Sequence, residues 1–134
     1  MTRTLLERIL LVEDDPDIAV LASIALEEIG GFTLLHAATG AAALAMAERS
    51  GPDLVILDYR LPDMTGADVL ARLRERPATR ALPVVFFTAN LMPRQVDALL
   101  ASGALGVIAK PFDPLTLCER VTGLWNEPDS PQPR

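Results

Sequence analysis

At 134 residues, half of them apolar and 22% charged, the chain is long enough for one domain with a real core and too short for two. Its net charge of -6 argues against a nucleic-acid surface, which needs clustered Lys and Arg. The longest nearly uninterrupted apolar stretch, 18–26, is too short to span a bilayer, no secretory leader is evident, and the single Cys118 has no thiol or metal-ligand company; the expected location is cytoplasmic.

In chain order, residues 1–7 read as a lead-in and 8–125 as the domain. A first apolar run at Arg8–Val12 reads as a strand and ends in Glu13, Asp14 and Asp15. Asp15 before Pro16 is a helix cap with proline at the first helical position, and Gly30-Gly31 is the stop signal. On that helix Ile18, Leu21, Ala22, Ala25 and Ile29 form one expected core face. Val20 and Ile24, spaced i,i+4, project from the opposite side.

A second strand at Thr33–Ala37 precedes a helix over 40–49. His36 falls near the end of that strand, a surface or rim position. The third strand, 54–57, ends in Asp58, and a helix over 66–76 stops before Pro77. The fourth, 84–87, ends in Thr88 and leads to a helix from about Pro93 to just before Gly103. The fifth, Gly106–Ala109, ends in Lys110-Pro111-Phe112. Asp113 then caps a last helix from about Pro114 to Trp125, on which Cys118 and Trp125 share the edge of the packed face. Residues 126–134, with three prolines and no apolar side chain, read as a disordered tail.

Short, continuously apolar runs separated by helices predict parallel strands buried on both faces and right-handed crossovers. In such a sheet, ligands gather at the carboxyl ends of the strands. Asp14, Asp58, Thr88 and Lys110 would then converge with Glu13 on one site. Any of these residues alone has an ordinary reading, Asp58 as a turn former and Thr88 as a common strand residue. Together, carboxylates held close repel unless relieved by a raised pKa or a divalent cation, and Mg2+ suits carboxylate, water and phosphate oxygens. A hydroxyl and an ammonium opposite a metal suit a transferring phosphoryl group.

The motifs Val12-Glu13-Asp14-Asp15, Leu57-Asp58-Tyr59-Arg60-Leu61-Pro62 with Gly66, Phe87-Thr88-Ala89 and Lys110-Pro111-Phe112 closely resemble the receiver domain of two-component response regulators. The resemblance covers residues 8–125. It implies a flavodoxin-like doubly wound (βα)5 fold with a five-stranded parallel sheet of order 2-1-3-4-5. It makes Asp58 the phosphoacceptor, charged by a histidine kinase or phosphotransfer protein. Glu13, Asp14 and Asp58, with the backbone carbonyl of Arg60, would hold Mg2+. Thr88 would bond a phosphoryl oxygen and Lys110 would pair with Asp58 or its phosphate, with Lys110–Pro111 cis. Arg60 and Asn90 occupy positions that tune phosphoryl lifetime, although a solvated Arg60 is an equal reading.

Val20 and Ile24 are either partner-docking residues on the first helix or scattered surface hydrophobics. The fourth helix, fifth strand and fifth helix would form the output or homodimer face. Val107 stands where many receivers carry a switch aromatic, so the aromatic form of the switch is not expected. The resulting reading is a phosphorylation switch or relay with no external substrate and no DNA-binding or membrane role of its own. Three rivals fit less well. An aspartyl-nucleophile phosphohydrolase would carry a second acid where Arg60 stands. A flavin carrier would need a phosphate loop where Glu13-Asp14-Asp15 repel phosphate. A pseudo-receiver would not need the complete acid, Thr and Lys set.

Overall fold

A computed structural model of the chain describes residues 5–127. Its strands are β1 Arg8–Val12, β2 Thr33–Ala37, β3 Leu54–Asp58, β4 Val84–Thr88 and β5 Gly106–Ala109. They form one parallel sheet of order β2-β1-β3-β4-β5. The strands are where the apolar runs place them, with Asp58 and Thr88 as the last residues of β3 and β4.

Alternation along each strand divides the core in two. Ile9, Leu11, Leu54, Ile56, Val85, Phe87 and Ile108 face α1 (Pro16–Ser23) and α5 (Pro114–Asn126). Leu10, Val12, Val55, Leu57, Val84 and Phe86 face α2 (Gly40–Ser50), α3 (Gly66–Glu75) and α4 (Pro93–Ala101). Val107 packs, partly buried, on this second face.

The helix starts follow their caps. Asp15 accepts from the amides of Asp17 and Ile18 at 2.9 and 3.4 Å, and Asp113 from that of Leu115 at 2.9 Å. Thr65 and Asp68 form a reciprocal capping box at α3. The expected tail begins too early, because Asn126 still belongs to α5; its remainder, 128–134, lies outside the described residues. In the lead-in, residues 1–4 also lie outside, but Leu6 is buried.

The first helix departs from expectation. After Ser23 it continues as a π-helical segment, Ile24–Ile29. Its buried residues are Ala19, Ala22, Ala25 and Leu26, while Leu21 and Ile29 are exposed. Ala22 and Ala25 are buried as expected. Close approach to α5 and the sheet adds the small Ala19, and the wider π turn brings Leu26 inward beside Ala25. Trp125 on α5 packs into the same cluster, and Cys118 is half-buried with Sγ 4.0 Å from Thr122 Oγ1.

The loop after β3 is tied to α2. Asp63 accepts from the amides of Gly40 and Ala41 at 2.8 and 3.0 Å, and these bonds hold its carboxyl below the usual range. A depressed folded-state pKa stabilises above the ordinary value near 3.8 and is lost as pH falls through the folded value. Asp63→Ala should therefore lower the thermal midpoint at neutral pH. Its deficit relative to wild type should shrink on acidification below about pH 4. A deficit independent of pH would show that the charge contributes nothing.

Candidate phosphorylation site

The site lies at the carboxyl edge of the sheet, beside the point between β1 and β3 where strand order reverses. There the crossovers leave to opposite faces and open a crevice. Glu13 and Asp14 follow β1, Asp58 and Thr88 end β3 and β4, and Lys110 follows β5. All five line one open cavity of about 480 Å³, so the structure brings the predicted catalytic and acidic residues together.

Lys110 is the hub. Its Nζ lies 3.1 Å from Glu13 Oε1 and 3.1 Å from Asp58 Oδ1. Glu13 is 1% exposed and Asp58 6%, whereas Asp14 is exposed. Burial pushes the Glu13 carboxyl up, and the nearby Asp58 charge adds to this; the Asp15 amide and Lys110 oppose it without reversing it. For Lys110, burial acts downward, but the hydrogen bond to Glu13 and the Asp58 and Glu13 charges outweigh it and hold the pKa above the ordinary lysine value.

Backbone contacts fix the frame. The Glu13 amide donates to Ala37 and that of Lys110 to the Thr88 carbonyl, both at 3.0 Å. Gly66 is required by proximity: a Cβ there would stand 2.7 Å from the Asp58 carbonyl oxygen and 2.9 Å from the Phe86 ring. Arg60 lines the cavity, its backbone held in an isolated bridge to Thr65. Lys110–Pro111 is cis.

Glu13, Asp14 and Asp58 each offer an oxygen within 4.8 Å of the others. One ammonium cannot neutralise three carboxylates, and an all-oxygen set with residual negative charge fits a hard divalent cation. The cluster could therefore hold a metal.

Several contributors were not legible in the sequence. His36, exposed at the rim as expected, also places Nε2 2.8 Å from the Glu13 carbonyl oxygen. Phe112 stacks on Phe87 with centroids 5.1 Å apart, fastening the segment that carries Lys110. Gln95 of α4 reaches the same cavity. The spacing of Phe112 from Lys110 was visible, but its partner lies on another strand. Val20 and Ile24 do not touch the cavity; they are 58% and 38% exposed on the outer side of the first helix, beside Leu21.

Fold and site together define a flavodoxin-like α/β domain with an acidic crevice at its switch point. Residues 9–122 match the response regulator receiver domain, and the chain belongs to that family. Accepting a phosphoryl group in two-component signalling is the family's standard role.

The chain is 40% identical over 118 residues to the DNA-binding response regulator MtrA of Mycolicibacterium smegmatis, covering 88% of this chain and 50% of that one. It is 36% identical over 113 residues to an uncharacterized 14.6 kDa protein of Leptolyngbya boryana, covering 84% and 86%. It thus spans about half the length of the DNA-binding relative and most of the small one. Among solved structures, Vibrio cholerae chemotaxis response regulator CheY4 aligns with a TM-score of 0.82 at 29% identity, covering 90% of this chain and 99% of that one. A putative response regulator from Chloroflexus aurantiacus aligns with a TM-score of 0.81 at 31% identity, covering 90% and 98%. Among the described residues, no helix is long and apolar enough to cross a membrane.

Proposed function

We propose that Asp58 is the phosphoacceptor of a Mg2+-dependent signalling switch or relay, charged by a histidine kinase or histidine phosphotransfer protein. The observation that carries this reading is Lys110 Nζ at 3.1 Å from Asp58 Oδ1, inside a cavity shared with Glu13, Asp14 and Thr88. An Asp58 oxygen attacks phosphorus as the bond to the donor breaks, the electron pair leaving with the donor. Lys110 holds the carboxylate before transfer and pairs with the phosphate afterwards. The Thr88 oxygen accepts from the Asn90 amide at 3.0 Å, which leaves its O–H free to donate to a phosphoryl oxygen. Glu13, Asp14, Asp58 and the Arg60 carbonyl are the residues that would hold Mg2+, whose charge offsets that of the incoming phosphate. The transfer is self-directed, with no external substrate to turn over.

Incubation with acetyl phosphate and Mg2+ should add the mass of one phosphoryl group, and chelation should prevent it. If neither acetyl phosphate nor beryllofluoride with Mg2+ altered the protein, the reading would be wrong and the domain would act as an unphosphorylated binding module.

Val20 and Ile24 form a partner-docking patch on the first helix, joined by the exposed Leu21. Replacing Val20 and Ile24 with lysine puts two charges on an apolar contact surface. The change should slow phosphotransfer from a cognate donor protein at least about tenfold, the effect of losing roughly 1.4 kcal/mol of interface energy. Labelling by acetyl phosphate should be unchanged. Unaltered transfer from the protein donor would remove the patch from the interface. The output or homodimer face is assigned to α4, β5 and α5.

A further inference from the structure

From the cavity above Asp58 we infer that Gln95 positions the water that hydrolyses the aspartyl phosphate, and so sets how long the signal lasts. The inference rests on Asp58 being the phosphoacceptor.

Gln95 sits in the first turn of α4, and its side chain lines the cavity that holds Asp58, Thr88 and Lys110. A short chain of hydrogen bonds fixes that turn to Thr88. The Asn90 amide donates to Thr88 Oγ1 at 3.0 Å, the Met92 amide to Asn90 Oδ1 at 3.1 Å, and the Gln95 amide to the Met92 carbonyl at 2.9 Å. The Gln95 backbone is thus linked to Thr88 through three hydrogen bonds.

Attack on phosphorus is eased by a group that accepts a hydrogen bond from the water and holds it in line with the bond to Asp58. A carboxamide oxygen accepts; a guanidinium only donates. Beyond the acids, Thr88 and Lys110, the polar side chains that border the cavity are Tyr59, Arg60, Asn90 and Gln95; the Tyr59 ring packs toward Phe86 on the second face of the sheet, centroids 6.3 Å apart. Arg60 lacks an acceptor, and the Asn90 oxygen is already committed to Met92. The Gln95 carboxamide makes no side-chain hydrogen bond among the described residues, and Gln95 is half-buried.

In the step, the water oxygen bonds to phosphorus as the P–O bond to Asp58 breaks. The bonding pair returns to the carboxylate, and a water proton passes to a phosphoryl oxygen. Inorganic phosphate leaves and free Asp58 is restored. Gln95 supplies orientation only and acts as a positioning residue.

Gln95→Met keeps the length of the side chain and removes the amide; Gln95→Ala removes both. After labelling with acetyl phosphate and removal of the donor, both variants should hold the adduct roughly three- to tenfold longer than wild type, the effect of one lost hydrogen bond. Beryllofluoride affinity should stay within about twofold, because ground-state binding does not use the water. An adduct with an unchanged or shorter half-life would overturn this inference alone. Weakened beryllofluoride binding in step with the lifetime would reduce Gln95 to a structural role. No adduct and no beryllofluoride binding in any of the proteins would overturn the phosphoacceptor reading, and this one with it.

Discussion

Asp58→Asn is expected to abolish phosphoryl uptake from acetyl phosphate while the protein stays folded. The amide oxygen is nearly isosteric with the carboxylate oxygen but lacks its charge and nucleophilicity, so no acyl phosphate forms. Folding survives because the charges lost nearly cancel. Asp58 lies 3.1 Å from Lys110, an attraction of about 5 kcal/mol at an effective dielectric near 20. Against this stand repulsions from Glu13 and Asp14, each within 4.8 Å and worth at least about 3 kcal/mol on the same scale. The exposed Asp14 is partly screened, which brings the sum close to balance. Intact mass should show no adduct and thermal melting a midpoint within a few degrees of wild type. On the proposed Mg2+ site, the rise in thermal midpoint on adding Mg2+ should be smaller for the variant than for wild type. Full uptake by Asp58→Asn would place the acceptor elsewhere.

Phe87→Ala is expected to cost about 3–5 kcal/mol of stability, the range for truncating a buried phenylalanine. That is a large share of the 5–15 kcal/mol that holds a typical domain together. Phe87 is fully buried on the α1/α5 side of the sheet, next to Thr88, and its ring stacks on Phe112 at 5.1 Å. Truncation leaves a cavity under β4 and releases the segment that carries Lys110. The thermal midpoint should fall by roughly 10–20 °C. Any folded fraction should be labelled more slowly, because Lys110 loses its anchor. Phe87→Leu, which retains most of the volume, should lose under half as much. A loss below about 1 kcal/mol for Phe87→Ala would mean that the stack carries no weight.

Much of this was legible because the relevant signals are local. Continuous apolar runs marked the inner strands β1, β3 and β4 most strongly, since a strand covered on both faces has no polar side to alternate with, whereas the edge strand β2 carries exposed Thr33 and His36. Asp15, Asp113 and the prolines at Pro16, Pro93 and Pro114 marked helix starts, because cap chemistry acts within one turn. Strand ends share one edge of a parallel sheet, so Asp14, Asp58, Thr88 and Lys110 could be placed together before any distance was known.

What escaped depended on partners far along the chain. Helical periodicity treated Leu21 and Ile29 as core and passed over Ala19 and Leu26. The amount of apolar surface on a helix does not reveal how closely its neighbours approach or where a π turn shifts the register. Asp63 capping α2 and His36 on the Glu13 carbonyl each join residues 23 apart.

The sequence by itself therefore determined the strands, the sheet class and the chemical inventory at the sheet's edge, because these follow from periodicity, caps and residue type. Only the tertiary structure decided that one ammonium is shared by Glu13 and Asp58, that Ala19 and Leu26 rather than Leu21 and Ile29 enter the core, and that Gln95 borders the cavity. Those outcomes turn on separations of a few ångströms between segments the chain brings together only on folding.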